Sequence, residues 1–160
     1  MNPLQTPTAM PESFNITISE EAHIAEAQHD ALLLAQQSGF SRTDAYYLAT
    51  AVTELAANIF RHAGDGEIHL HALVRHGAAG IEVIARDTGP GIADIEQAMR
   101  EGFSTAGGLG CGLPGVSRLM DELEIRSKVG QGTQIRACKW VTVARTVDYE
   151  MMQSNSGAPY

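Results

Sequence analysis

Cysteine is nearly absent. Cys111 and Cys138 stand 27 positions apart in a chain of 160 residues and form no C-x-x-C pair, which excludes a disulfide framework and a zinc knuckle. Positive charge is also in deficit: 11 Lys and Arg against 19 Asp and Glu leave a net charge of −8. Such a field repels phosphate backbones and anionic headgroups, so nucleic acid and membrane surfaces are not expected partners. The longest aliphatic run, Ala31 to Ala35, falls far short of the roughly 20 residues that cross a bilayer. The N-terminus lacks a basic, apolar signal segment, so the expected location is the cytoplasm. There is no G-x-x-x-x-G-K-[ST] loop. What remains, 44% hydrophobic and 19% charged residues, is ordinary globular usage at a length suited to one core.

Residues 1–12 carry three prolines and residues 154–160 are small and polar. Both ends read as tails, so the expected domain spans 13–142, with a C-terminal extension over 143–160. Phe14, Ile16 and Ile18 alternate in a short strand. Ile24, Ala27, Ala31 and Leu34 then recur at helical spacing until Gly39. A second helix opens at Ser41, with Asp44 three residues on as a variant of the capping box, and turns Leu48, Val52, Leu55 and Ile59 inward. From Glu67 the period becomes two: Ile68, Leu70, Ala72 and Val74 share a face, and so do Ile81, Val83, Ala85 and Asp87. A short helix (93–100), a glycine-rich stretch (102–112), a helix from Leu113 with Pro114 in its first turn, and two closing strands complete the chain. The order β, α, α, β, β, α, α, β, β predicts an α+β fold, a two-layer sandwich with helices on one face of a mixed, mostly antiparallel sheet.

Three clusters carry chemistry. Glu54 and Asn58 lie four apart on one helical face, followed by Arg61 and His62. An Asn amide oxygen suits Mg²⁺, which keeps several waters and takes phosphate oxygens, while a carboxylate one turn away can accept a hydroxyl proton. Alone the pair is not diagnostic, since Glu and Asn spaced by four occur on many solvent-facing helices. In Asp87-Thr-Gly-Pro-Gly91, an inward acid at a strand end can accept a bond from an exocyclic amine such as that of adenine. An Asp-led turn is an equal reading of that motif by itself. Gly107 to Gly115 runs into a helix N-terminus, which favours phosphate; the alternative is a flexible surface loop. Gly110, Gly112 and Gly115 also satisfy G-x-G-x-x-G, but no strand precedes Gly110 and 45 residues are too few for the rest of a Rossmann sheet.

Taken in order, Glu54 to Asn58, Asp87 to Gly91, Gly108 to Gly112 and Gly132-Thr133 resemble the N, G1, G2 and closing boxes of the GHKL ATPase/kinase superfamily of gyrase, Hsp90, histidine kinases and MutL. The stretch Glu101 to Leu123 is similar to that of the RsbT-like bacterial stressosome switch serine/threonine kinases, relatives of the anti-sigma factor kinases. The resemblance runs from about Phe14 to Trp140. It implies a Bergerat-type ATP site in which Asp87 reads the adenine amine, assisted by Thr133, with Gly89 and Gly91 beneath the base. Asn58 would hold Mg²⁺. Ser104, Thr105, Gly108, Gly110, Gly112 and Leu113 would belong to a lid over the phosphates, and Glu54 would activate a substrate serine or threonine hydroxyl. The implied partners are STAS-domain proteins and, on release, a PP2C-type phosphatase.

Two other functions stay open at this level, an anti-sigma factor kinase that sequesters a sigma factor and a nucleotide-gated binding module with little catalysis. Glu54 weighs against the second, because such a module needs no base. His69 and His71 read as solvent-facing residues of an alternating strand, for want of a third ligand. Parity also places Leu73, Ile84, Cys138 and Trp140 on the outer sheet face, a candidate interaction surface.

Overall fold

The computed structural model of the chain describes residues 13–100 and 112–142. Five strands form one sheet: β1 (Ser13–Ile18), β2 (Gly66–Arg75), β3 (Ala78–Asp87), β4 (Glu122–Lys128) and β5 (Gly132–Trp140). Their order is β1-β2-β3-β5-β4, and all four pairings are antiparallel. One face is covered by α1 (Ala22–Gln37) and α2 (Arg42–Asn58) together with α4 (Gly112–Leu119); a short α3 (Ile95–Ala98) sits in the crossover from β3. This is the two-layer sandwich that the alternation of periods predicts, although the helix expected over 93–100 contracts to four residues.

The core follows from those periods. Ile16, Ile18, Ile68, Leu70, Ile81, Val83, Ala85, Ile135 and Ala137 point from the sheet into the helices. They meet Ala27, Ala31, Leu34 and Ala35 of α1, and Leu48, Ala49, Val52, Leu55 and Ala56 of α2. The many alanines let the helices lie close to the sheet and to each other. Val74 departs from its parity: it is 73% exposed, because the β2–β3 hairpin runs past the helical layer. That hairpin closes on His76 and Gly77, both at positive φ (51° and 79°), the backbone of a tight two-residue turn whose twist matches the strands.

The outer face is less apolar than its parity implies. Arg136 Nε meets Glu82 Oε2 at 2.6 Å, Arg75 Nη1 meets Glu122 Oε1 at 2.7 Å, and Trp140 Nε1 donates to Glu122 Oε1 at 3.2 Å. Arg75 also lies 4.7 Å from the Trp140 ring centroid, a cation–π contact. Beneath this lattice Cys138 is fully buried. Among the described residues no helix is long and apolar enough to cross a membrane.

Candidate active site

Helix α2 delivers the first two candidate side chains because its start is fixed. Ser41 Oγ accepts the Asp44 N–H at 3.1 Å and donates to the Asp44 carboxylate, which sets the phase of everything downstream. Thirteen residues beyond Ser41, Glu54 is only 2% exposed; Asn58, one turn later, is half-buried. Both open onto a cavity of about 330 Å³.

No sequence pattern marks the turn beyond Asn58. Residues Ile59–Ala63 form a π turn, closed by Gly64 N donating to Ile59 O at 3.0 Å. One extra residue in the turn changes the direction of the side chains after Asn58. Arg61 and His62 consequently reach the rim of the same cavity.

The opposite wall is built by strand register. Gly66 faces Asp87, Asp87 faces Thr133, and Thr133 faces Ser127, so one row crosses β2, β3, β5 and β4 at the end of the sheet. Asp87 Oδ1 accepts the Gly89 N–H at 2.9 Å. Asp87 and Thr133 line the cavity, together with Leu55, Ile59, Ala85, Ile92, Leu113 and Ile135. A mostly apolar slot with a few convergent polar groups is the usual form of a small-ligand site.

Glycine is obligatory at two points around it. Gly132 has φ +93°, and a Cβ there would strike the Asp87 carbonyl; Gly91 has φ +75°, and its Cβ would strike the Lys128 carbonyl. The loop after β3 can therefore lie flat against the β4–β5 turn, where Gly130 N also donates to Pro90 O at 2.9 Å. Gly89 is not among the residues that line the cavity; its N–H donates to the Asp87 carboxylate, and it packs against Ala63.

Gly112 and Leu113, the first residues of α4, also line the cavity, so the positive end of that helix dipole lies at its edge. The structure thus brings together Glu54, Asn58, Asp87, Gly91, Gly112, Leu113 and Thr133. Ser104, Thr105, Gly108 and Gly110 lie outside the described residues. Among the described residues no three His, Cys, Asp or Glu side chains cluster as a metal site. Asn58 offers one amide oxygen, a hard ligand of the kind that suits Mg²⁺ beside phosphate and water. Sequence reasoning missed Ser127, whose signal is its place opposite Thr133 across the β4–β5 turn, and the apolar contributions of Ile92 and Ala98.

Comparison with known proteins gives concordant results. A family model described as a histidine kinase-like ATPase domain matches residues 17–139. The chain is 45% identical over 126 residues to the serine/threonine-protein kinase RsbT of Bacillus subtilis (strain 168), a match covering 79% of this chain and 95% of that protein. It is 37% identical over 100 residues to an anti-sigma F factor of Caldanaerobacter subterraneus subsp. tengcongensis, covering 59% of this chain and 68% of the other. A crystal structure of the RsbU and RsbW domains of a Mycobacterium tuberculosis protein aligns with a TM-score of 0.55 at 19% identity. That alignment covers 85% of this chain and 34% of the other, and it supports the fold alone.

Proposed function

The chain belongs to the histidine kinase-like ATPase domain family, and from that premise we propose that it is an ATP-dependent serine/threonine protein kinase whose substrate is a STAS-domain protein of a bacterial partner switch. On release from that substrate it activates a PP2C-type phosphatase. The observation that carries the reading is the pairing of Glu54 and Asn58 on one turn of α2 with the Asp87–Thr133 row across a single cavity of about 330 Å³.

The roles follow from position. Asp87 takes the exocyclic amine of adenine, and the apolar slot around Ala85, Ile92 and Ile135 receives the base. The start of α4, the positive end of its helix dipole, faces the phosphates. Asn58 would hold Mg²⁺, which shields the phosphate charge. Glu54 accepts the proton of a substrate serine or threonine hydroxyl as its oxygen bonds to the γ-phosphorus and the bond to the β,γ-bridging oxygen breaks, releasing ADP.

The test is transfer of labelled phosphate from ATP to STAS-domain proteins encoded beside this chain. Glu54→Gln should retain most ATP affinity and slow transfer by about 10²–10⁴-fold. Full transfer in that variant would place the base elsewhere. A second reading, sequestration of a sigma factor, rests on the similarity to anti-sigma F factors; a nucleotide-dependent sigma-factor complex with no transfer to STAS proteins would favour it.

A further inference from the structure

The loop after β3 has no regular structure between Asp87 and Ile95, yet its residues Pro90, Gly91 and Ile92 form one wall of the cavity. Something must hold it in place. Its backbone is tied at two points to β4 and the turn into β5: Gly130 N donates to Pro90 O at 2.9 Å, and Ile92 N donates to Ser127 Oγ at 2.8 Å. The first bond is made by main chain alone. The second depends on a side chain, and among the described residues Ser127 is the one side chain outside β3 that bonds residues 88–92.

Ser127 is held in turn by the sheet. It pairs with Thr133 across β4 and β5, and its Oγ lies 3.1 Å from the Gly132 carbonyl and 2.8 Å from Thr133 Oγ1. Its one hydroxyl hydrogen can serve either neighbour. The bond to the loop does not depend on that choice, because a backbone N–H can only donate and Ser127 Oγ must accept it. Ile92 is thus anchored through its amide while its side chain faces the cavity. Ser127 does not line that cavity, so any effect it has on a ligand passes through its neighbours.

We propose that Ser127 is a positioning residue whose hydroxyl holds Ile92 against the base slot and thereby sets how tightly the site takes the base of a nucleotide. This rests on the reading of the cavity around Ala85, Ile92 and Ile135 as that slot. A wall already in place costs nothing to order when the ligand arrives, whereas a wall formed in only a fraction of molecules lowers the apparent affinity by that fraction. Loss of one ordinary hydrogen bond corresponds to about fivefold.

The experiment is calorimetric titration of the full chain with ADP, which carries the same base as ATP and has no γ-phosphate to transfer, together with thermal unfolding of each variant. Ser127→Ala should weaken ADP binding by about fivefold. Ser127→Thr and Ser127→Val share one shape, both suit a strand, and differ only in the hydroxyl; Ser127→Thr should keep wild-type affinity and Ser127→Val should lose it. That pair carries the test if Ser127→Ala does not fold. In an Ile92→Ala background, Ser127→Ala should add no more than about twofold, because the side chain it positions is gone. In a Thr133→Val background the loss should persist. Equal affinity in Ser127→Thr and Ser127→Val, a lower unfolding temperature with unchanged affinity, a full loss in the Ile92→Ala background, or a loss abolished in the Thr133→Val background each overturns the role of Ser127 alone. Wild type that does not bind ADP overturns the base-slot reading and this inference with it.

Discussion

At the scale of single residues, the cavity separates groups by what they can give and take. Asp87 holds the Gly89 amide with Oδ1, so Asp87→Asn can keep that bond through its amide oxygen and turn an NH₂ toward the ligand. Donor would then face donor. ATP affinity, read by calorimetry, should fall by roughly 10- to 100-fold, the worth of a hydrogen bond to a charged group, while the folded far-ultraviolet spectrum is retained. Unchanged affinity removes Asp87 from the base-recognition role. Cys138 behaves in the opposite manner, as a buried group without chemistry: burial pushes its thiol up to about 11. In a Cys111→Ser background it should resist iodoacetamide at pH 8 in the native protein and react once unfolded. Rapid native labelling would show that the lattice over it opens.

The element that matters most is α2, which carries Glu54 and Asn58 and is anchored at both ends. Its N-terminal anchor is the Ser41–Asp44 cap. Ser41→Ala should lower unfolding free energy by about 1 kcal/mol, seen as a shifted denaturant midpoint at constant slope; an unchanged midpoint would mean that packing alone sets the helix start. Its C-terminal end passes into the π turn of Ile59–Ala63. Much of this element is legible in the sequence, including the cap, the inward stripe from Leu48 to Ile59 and the four-residue spacing of the site pair. The π turn is not, because its cause lies outside the segment. Ile59 must stay in the core while Gly89 packs onto Ala63, and only the assembled sheet imposes both demands on one turn.

Across the whole molecule the helices cover one sheet face and a lattice of paired charges covers much of the other. Glu122 is its hub. Burial opposes ionisation there, but the Trp140 indole N–H and the Arg75 and Arg136 guanidinium groups outweigh it and hold the carboxyl below its ordinary value of 4.5. A group with a depressed folded pKa stabilises the fold above its unfolded pKa, and that contribution is lost as pH falls through the folded one. Glu122→Gln should therefore be less stable than wild type at pH 7, and the two should converge as pH falls through the depressed folded value. Equal stability at pH 7 would show that the lattice is neutral to folding. Among the described residues of this face, Arg75, Glu82, Glu122, Arg136 and Trp140 bond to one another.

The sequence by itself determined the element order, the inward faces and the site pair on α2, because periodicity, caps and glycine positions are local and act before any tertiary contact exists. It also placed Asp87 on the covered side of the sheet by parity alone. Tertiary structure decided the rest, and Lys139 shows why. Parity turns this charge inward next to Ala137, where it is 8% exposed and would be costly alone. Asp121 at 3.4 Å, Asp44 at 3.9 Å and the Tyr47 ring at 5.6 Å meet it there. Asp44 and Asp121 come from distant parts of the chain, as do Asp87, Thr133 and Ser127 in the row across the sheet. Strand register, which no local pattern encodes, is what makes each set neighbours.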